Sequence, residues 1–458
     1  MGKREAEGLR MQSEQRASRR RFLETSGKAA VASALAGAAL PAVHAGEDNT
    51  IRLALIGCGG RGGGAAVNAF DAPGGPVKLW AAADIFQTRL DACLKNLQTK
   101  YPEKMDVPAE RQFLGFDAYR KAIDTLRPGD VAMLCGYAGF RPAQLEYAVE
   151  KGVNVFMEKS FAADPPGVRR VIQAGEAAEK KGLKIAAGLM CRHSVARQEL
   201  IRRIRDGALG DILLIRAYRM EPVGPMGRKP DGERELFWQV RNFTRFYWVS
   251  GGLYAEMDIH QIDEICWLKD ALPVASHGVG GRAANSTDCS QNLDSFAAEW
   301  TFPDGTRATD VVRYLPGCHM EFATYVHGTK CAAQFSGSHH AGTVVMYKDQ
   351  RMARDNIAWK AEKEQFSPWQ AEWNVLLDAI RNNKPHNEAK RAALSNLADI
   401  MSRAAIHSGK IVTWDEAMAS NFQFCPTIDA MTPDSEPPVK PDANGRYPVP
   451  IPGVWTEI

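Results

Sequence analysis

The chain has 458 residues, 45% of them hydrophobic and 24% charged, and this length is enough for two domains with sizeable cores. Residues 1–45 hold eight of the 57 basic and four of the 54 acidic side chains, which leaves 49 basic and 50 acidic side chains and a net charge of −1. This balance predicts no nucleic-acid groove, and nine cysteines without a Cys-x-x-Cys pair indicate neither a disulfide framework nor a zinc ribbon.

The N-terminal segment has the pattern of an export signal. Ser18-Arg19-Arg20-Arg21-Phe22-Leu23 is a twin-arginine motif, a mildly apolar run follows at 29–40, and Val43-His44-Ala45 offers a small-residue cleavage site. We expect residues 1–45 to be a signal peptide and the mature protein to be periplasmic or secreted, with no membrane span after cleavage. The alternatives are an amphipathic helix that stays attached and an uncleaved membrane anchor.

A glycine-rich turn follows the first predicted strand. Residues 51–56 are typical of a buried strand, which runs into Gly57-x-Gly59-x-x-Gly62. In a dinucleotide site the first glycine allows the tight turn, the second lets the pyrophosphate approach, and the third lets the next helix pack on the strand. The pattern therefore predicts a turn that binds the phosphates of a dinucleotide.

A second apolar run, 77–83, ends at Asp84, from which an acidic side chain can reach the ribose hydroxyls of adenosine. A carboxylate there repels a 2′-phosphate, so we expect NAD to be preferred over NADP. The alternative is that the glycines form an ordinary strand–helix turn and that Asp84 caps a strand end.

Strands and helices alternate over 46–192, which is typical of a doubly wound parallel sheet. The predicted strands and helices after Asp84 are 89–99, 116–123, 130–135, 142–151, 153–157 and 183–188. Ligands bind at the carboxyl ends of parallel strands, and Glu158 and Lys159 follow one such strand. The predicted cofactor-binding residues are Gly57, Gly59, Gly60, Arg61, Gly62, Asp84, Ile85, Glu158 and Lys159.

Two further motifs follow the glycine turn: Glu158-Lys159-Ser160 at a strand end, and Gly251-Gly252-x-x-x-Glu256-x-x-x-His260-x-x-Asp263. Together the three motifs resemble the glucose-fructose oxidoreductase and inositol dehydrogenase family (Gfo/Idh/MocA). The resemblance implies an α/β protein with an N-terminal Rossmann domain and a C-terminal α+β domain. The open, mostly antiparallel sheet of the second domain is expected to carry the substrate side and to join subunits of a homo-oligomer. We expect these domains at 46–192 and 193–425, with a proline-rich tail at 426–458 that either wraps a neighbour or is loose.

Three residues differ from the family pattern. Ser160 replaces a proline that is often cis, Arg141 stands where the family commonly has histidine, and Glu256 replaces the aspartate of the inositol-type enzymes. The runs 238–243 and 409–416 resemble an exported subgroup of the family. These differences leave the fold prediction unchanged and leave the substrate open.

The predicted catalytic residues are Lys159, Glu256 and His260. On a helix, Glu256 and His260 are four positions apart and share a face, and Asp263 is three positions further along it. If Lys159 approaches from the other domain, desolvation can lower its pKa, and Glu256 or Asp263 can hold one tautomer of His260. The group could then accept the proton of a hydroxyl while the carbon gives hydride to a nicotinamide. The alternatives are an exposed strand end at Lys159, a surface pair of Glu256 and His260, and a structural Asp263.

The predicted substrate-binding residues are Arg192, Trp238, Arg241, Asn242 and Asp263. An indole face beside an arginine and an amide suits a sugar ring, although core packing explains Trp238 equally well. Before Trp238, the loop 221–234 is either an active-site rim or a disordered insertion.

No metal site is predicted, because the acidic residues around His260 have no second histidine at suitable spacing. His339-His340 is interpreted as part of a polar loop rather than as a ligand pair.

The resulting hypothesis is an exported NAD-dependent oxidoreductase that acts on a sugar, polyol or glycoside by hydride transfer at a secondary alcohol. Because little free NAD exists outside the cytoplasm, we expect NAD to be tightly bound and regenerated within each cycle. One alternative is an NAD-dependent glycoside hydrolase that oxidises, eliminates, adds water and reduces. Another is an exported ligand-binding scaffold without catalysis.

Overall fold

The computed structural model describes residues 49–337, 340 and 342–458. The predicted signal peptide and His339 lie outside these residues. Residues Thr50–Ile458 form one compact unit, built from two β-sheets and the helices that cover them. Among the helices described, none is long and apolar enough to cross a membrane. The predicted domain boundaries stay predictions.

The first sheet has six parallel strands in the order β3-β2-β1-β4-β5-β6. Its central strands are mostly apolar and buried along nearly their whole length because helices cover both faces of such a sheet. Its strands are β1 (Ile51–Ile56), β2 (Val77–Asp84), β3 (Gln112–Leu114), β4 (Val131–Leu134), β5 (Asn154–Met157) and β6 (Ile185–Ala187).

Helices connect these strands in the predicted alternation. They are α1 (Gly60–Phe70), α2 (Gln87–Lys100), α3 (Ala118–Ile123), α4 (Arg141–Lys151), α5 (Pro165–Lys180) and α6 (Val195–Arg205). Helix α4 ends at Gly152, whose φ of 74° is in the left-handed region that glycine adopts without a steric cost. Asp164 caps α5 by accepting a hydrogen bond from the Gly167 N–H.

The second sheet has nine strands in the order β14-β13-β12-β11-β7-β10-β9-β8-β15. Among the described strands, β7 and β10 are its one parallel pair, so the expected mostly antiparallel sheet is confirmed. Its strands are β7 (Ile212–Met220), β8 (Ala275–Gly281), β9 (Ser295–Thr301), β10 (Arg307–Arg313), β11 (Glu321–Gly328), β12 (Ala332–Gly337), β13 (Val345–Tyr347), β14 (Ile357–Lys360) and β15 (Val412–Thr413).

Six helices complete the second half of the chain: α7 (Glu235–Arg241), α8 (Tyr247–Ser250), α9 (Gly252–Lys269), α10 (Pro368–Arg381), α11 (Ala389–Ser408) and α12 (Trp414–Ala419). Helix α9 carries the Glu256–His260 motif and is buried on nearly all sides, packed against α11 and β7. The interpretation of Glu256 and His260 as a surface pair is therefore wrong, because both side chains lie in the interior.

The C-terminal tail packs against its own chain, which differs from the expectation that it wraps a neighbour or is loose. Residues 433–458 run without helix or strand, yet Tyr447 and Glu457 are buried. The Glu457 carboxylate accepts a 2.7 Å hydrogen bond from Arg403 Nε and lies 3.0 Å from His407 Nδ1. This arrangement lowers the pKa of Glu457 to about 2, despite the opposing effect of its burial.

Candidate active site

A cavity of about 330 Å³ opens at the carboxyl ends of β1, β2, β4 and β5 and reaches α9. All nine predicted cofactor-binding residues line it: Gly57, Gly59, Gly60, Arg61, Gly62, Asp84, Ile85, Glu158 and Lys159. Its wall also includes Arg89, Phe116, Tyr119, Tyr137, Gln144, Phe243 and Glu256. A single cavity therefore joins the glycine turn to the predicted catalytic pair.

The three glycines of the turn have different surroundings. Gly57 has a φ of 98°, and a Cβ there would meet the Cys135 backbone at 2.6 Å. At Gly62 a Cβ would lie 2.0 Å from the Gly57 carbonyl oxygen. At Gly59, by contrast, a Cβ would meet no described atom within 4 Å. The first and third glycines are thus required by the fold, whereas the second leaves open space where a pyrophosphate would approach.

Asp84 ties the end of β2 to the glycine turn. Its Oδ2 accepts a 2.6 Å hydrogen bond from the Cys58 N–H, and its Oδ1 accepts a 2.8 Å bond from the Phe86 N–H. Burial raises the pKa of this carboxyl, and the two backbone N–H groups oppose that shift. Each carboxylate oxygen keeps acceptor capacity for a further donor, and the residue lines the cavity. Asp84 can therefore hold the turn and accept from a ribose hydroxyl as well.

Arg61 links the glycine turn to two acidic residues. Its Nε lies 2.5 Å from Glu158 Oε1, and its Nη2 lies 3.5 Å from Glu372 Oε1 on α10. Glu372 is fully buried, and this burial raises its pKa well above the usual range. The Arg61 guanidinium therefore lies at the cavity wall, in contact with the carboxyl groups of Glu158 and Glu372.

Lys159 and Glu256 meet at the α9 end of the cavity. The Lys159 ammonium lies 3.0 Å from Glu256 Oε2 and also donates to the Glu256 main-chain carbonyl. The next residue, Ser160, donates a 2.8 Å hydrogen bond to the Ala255 carbonyl, and the Lys159–Ser160 peptide bond is cis. Lys159 and Ser160, which follow β5, are thus both hydrogen-bonded to α9. These bonds fix the position of the Lys159 side chain.

Arg141 supports this turn from beneath. It is fully buried, and its guanidinium donates to the carbonyls of Ser160, Leu134 and Gly136. Burial lowers the pKa of the guanidinium. Arg141, which stands where the family commonly has histidine, therefore links the end of β4 to the end of β5.

His260 lies outside the cavity lining, one helical turn beyond Glu256 on α9. Its burial, together with the positive charge of Lys159 and nearby arginines, lowers its pKa well below the usual range. Among the described residues its Nδ1 has no hydrogen-bond partner. The expectation that Glu256 or Asp263 holds its tautomer is wrong, since Glu256 binds Lys159 and Asp263 binds other groups.

Arg192 and Asp263, both predicted to bind substrate, bind each other. Arg192 Nε and Nη2 each donate a 2.8 Å hydrogen bond to the Asp263 carboxylate, which also accepts a 2.7 Å bond from Ser395. These positive charges and hydrogen bonds lower the pKa of Asp263 despite its burial. The pair joins the turn Met190–His193 to α9 and α11, and its contact with a substrate stays a prediction.

Trp238, Arg241 and Asn242 lie on or next to α7, and Arg241 packs on Phe86, two residues after Asp84. The Arg241 guanidinium stacks 4.6 Å from the Phe86 ring, and its Nε lies 3.0 Å from Glu233. Asn242 donates a 2.9 Å hydrogen bond to the Trp238 carbonyl. None of the three lines the cavity, so their predicted role in substrate binding stays a prediction.

Two groups of residues were not identified from the sequence. Phe116, Tyr137 and Phe243 form aromatic walls of the cavity, with the Tyr137 and Phe243 ring centroids 4.9 Å apart. His340, interpreted as part of a polar loop, is buried and lies with its ring centroid 4.4 Å from that of His260. A histidine in a Gly- and Ser-rich connection gives no periodic signal of burial, so the sequence could not identify this contact.

Comparisons with known proteins confirm the predicted fold. No family model matches the chain. It is 24% identical over 241 residues, or 52% of its length, to an inositol 2-dehydrogenase of Cereibacter sphaeroides, and the matched segment spans 60% of that relative.

Solved structures match a larger part of the chain. A scyllo-inositol dehydrogenase of Lactobacillus casei with bound NAD(H) and scyllo-inositol matches 80% of it and 99% of its own length, with a TM-score of 0.58 and 23% identity. An aldose-aldose oxidoreductase of Caulobacter crescentus matches 80% and 99%, with a TM-score of 0.60 and 17% identity. The parallel sheet with its second, mostly antiparallel sheet is thus the fold of these dehydrogenases.

Proposed function

We propose that this protein is an NAD-dependent oxidoreductase of the Gfo/Idh/MocA family that oxidises a secondary alcohol of a polyol or sugar. One observation carries the proposal: a single cavity leads from the glycine turn, past Asp84, to the Lys159–Glu256 pair. The similarity to inositol dehydrogenases supports the polyol class of substrate.

The residues along the cavity suit NAD. Gly59 offers open space to the pyrophosphate, and the N-terminus of α1 directs backbone N–H groups toward it. The Asp84 carboxylate would accept from the ribose hydroxyls and repel a 2′-phosphate, which favours NAD over NADP. Bound NAD would supply the hydride acceptor, and the chain supplies everything that handles the proton.

Proton transfer falls to Lys159 and Glu256. A substrate hydroxyl at the α9 end of the cavity can hydrogen-bond with the Lys159 side chain, whose nitrogen is already fixed by Glu256. As the carbon gives up its hydride, the hydroxyl proton passes to this pair, and a ketone, a proton and a reduced nicotinamide are the balanced products. His260, one helical turn from the pair, stays neutral because its burial and the nearby positive charges lower its pKa, so we assign the proton transfer to the pair itself.

We further propose that the mature protein works outside the cytoplasm with tightly held NAD. The twin-arginine motif in residues 1–45 supports export after folding, and scarce external NAD favours a reaction that regenerates the cofactor. Reduction of a second sugar would achieve this, as would hydrolysis of a glycoside by oxidation, elimination, hydration and reduction. We also propose a homo-oligomer that pairs through the second sheet, whose β8 exposes Val279 and whose β7 exposes Leu213.

Binding and turnover test the proposal together. Purified protein is titrated with NAD and then assayed with inositols, aldoses and aryl glycosides, with and without added NAD. Saturable binding and nicotinamide reduction by a polyol or sugar are the expected results. Aryl-glycoside cleavage without added NAD would instead establish the hydrolase, and NAD binding without any turnover would favour the scaffold.

A further inference from the structure

We propose that Cys191, His260 and His340 form a binding site for a divalent transition metal of the zinc type. One ligand atom from each residue lies within 4.8 Å of the other two, and all three residues are buried. They come from three separate parts of the fold: the turn Met190–His193, helix α9 and the connection between β12 and β13. Separate elements that bring one thiol and two imidazoles to one point have the donor set of a zinc site.

The distance between Cys191 and His340 is close to that expected around a bound ion, and the other two pairs of donors lie within 4.8 Å. Cys191 Sγ lies 3.8 Å from His340 Nδ1. Zinc–sulfur and zinc–nitrogen bonds of about 2.3 and 2.0 Å at a tetrahedral angle place such atoms about 3.5 Å apart. A contraction of a few tenths of an ångström at this pair would therefore complete that side of the site.

The donors are available for binding. Among the described residues His260 Nδ1 has no hydrogen-bond partner, although it is buried. His340 Nε2 lies 3.4 Å from Arg219 Nη1, a long contact that leaves Nδ1 facing Cys191. If Nδ1 binds the ion, the imidazole proton moves to Nε2 and the Arg219 contact opens. Arg219 would keep its 2.9 Å ion pair with Glu221 and its bond to the Met257 carbonyl.

The surrounding charges are balanced before an ion binds. Arg197 lies 3.2 Å from Glu264, and Arg219 and Lys159 have their own carboxylates, Glu221 and Glu256. On binding, the Cys191 thiol would lose its proton and contribute one negative charge next to the ion. Burial raises the pKa of that thiol, and so does the nearby Glu264 carboxylate, which accepts hydrogen bonds of 2.6 and 2.7 Å from Thr324 and Ser336.

Three protein donors leave a fourth position open in a tetrahedral site, as in catalytic rather than structural zinc sites. None of these three donors lines the cavity, so the site is separate from the place where a substrate would bind. Metal binding at this site does not depend on the proposed function.

Metal titration tests the site. The full chain is stripped with a chelator under reducing conditions and titrated with Co²⁺, whose thiolate charge-transfer and visible bands report the ligands, and then with Zn²⁺ in competition. We expect one ion per chain, with affinity lowered more than about tenfold by Cys191→Ser and by His340→Gln. Cys331→Ser, another buried thiol, and His277→Gln, an exposed imidazole, serve as controls that keep wild-type affinity.

Each outcome decides one part of the inference. The proposed metal site is overturned if the folded wild-type protein does not bind Co²⁺ and Zn²⁺ stoichiometrically. It is also overturned if the folded Cys191→Ser and His340→Gln variants bind the metals as tightly as the wild type does. Circular dichroism and NAD titration establish that these variants fold. Metal binding without NAD binding would overturn the proposed function and leave the site in place.

Discussion

Lys159 and Glu256 are 97 positions apart in the sequence, yet the ammonium of one lies 3.0 Å from the carboxylate of the other. Lys159 follows strand β5 of the parallel sheet, whereas Glu256 is in the first turns of α9, a helix that packs against the second sheet. The pair therefore stands where the cavity of the first sheet meets the second half of the protein. A nicotinamide and a substrate would have to meet at the same place.

Replacement of Lys159 by methionine should disrupt the Lys159–Glu256 pair that handles the proton and leave the fold intact, because the side chain is only partly buried. We expect kcat to fall by roughly 10²–10⁴-fold while NAD affinity changes little. Steady-state turnover and a fluorescence titration with NAD measure the two effects separately. Lys184→Met, at a lysine that contacts Asn383 outside the cavity, is the matched control. Full activity in Lys159→Met would remove this residue from the mechanism.

A Gly59→Ala variant should fold normally and lose NAD. The residue has a φ of −72°, which alanine adopts easily, and the new Cβ would occupy the space reserved for the pyrophosphate. We expect NAD affinity to fall at least tenfold, about 1.4 kcal/mol, with the free energy of unfolding unchanged or raised by up to about 1 kcal/mol. Gly281→Ala, which also has open space around its Cβ, should change neither quantity. Unchanged NAD affinity in Gly59→Ala would mean that the phosphates lie elsewhere.

Asp84→Asn should weaken the choice of NAD over NADP. The substitution keeps the shape of the side chain and removes the charge that repels a 2′-phosphate. We expect the ratio of NADP affinity to NAD affinity to rise at least about tenfold, measured by parallel titrations with the two nucleotides. Some stability should be lost as well, because Asp84 accepts from two backbone N–H groups. The exposed Asp71→Asn variant is the control and should leave the ratio of the two affinities unchanged. The same unchanged ratio in Asp84→Asn would contradict the role assigned to the Asp84 carboxylate.

Asp399 should make the protein less stable as the pH rises. Burial on α11 raises its pKa to about 7. The folded state therefore holds a proton that the unfolded state releases near pH 4, and stability is lost as the pH rises from there through 7. The Asp399→Asn variant does not have this loss. The difference in the free energy of unfolding between the variant and the wild type should therefore change by roughly 2–3 kcal/mol in favour of the variant as the pH rises from 5 to 7. Urea unfolding at both pH values measures the difference.

The exposed Asp231→Asn variant is the control for this comparison and should show no such trend. A stability difference between Asp399→Asn and wild type that is constant with pH would show that Asp399 is ionised in the folded protein.

The parallel sheet and the residues of the glycine turn that line the cavity could be predicted because they depend on local signals. Gly57, Gly62 and Asp84 act within one strand–turn–helix–strand unit, and their spacing in the sequence sets their spacing in the fold. The same holds for the strand end that places Lys159. Short strands such as β3 and β15 have two or three residues and too little periodicity to be recognised.

The contacts made in the second half depend on tertiary packing, which the sequence does not report. Arg192 and Asp263 looked equally suited to a substrate, and only the fold shows that each satisfies the other. Helix α9 is buried all round, so it lacks the apolar stripe by which a surface helix is oriented. His340 reaches His260 through a connection whose path no pattern predicts.

Nucleotide content tests the central claim most directly. The mature protein is purified, a portion is denatured, and NAD in the supernatant is measured by absorbance and mass spectrometry; the remainder is stripped and titrated with NAD. The proposed function predicts about one NAD per chain, either released on denaturation or bound on titration, and release on denaturation would support tight binding. Neither released nor bound NAD would contradict the assignment of the cavity between Gly59, Asp84 and Lys159 as a working cofactor site.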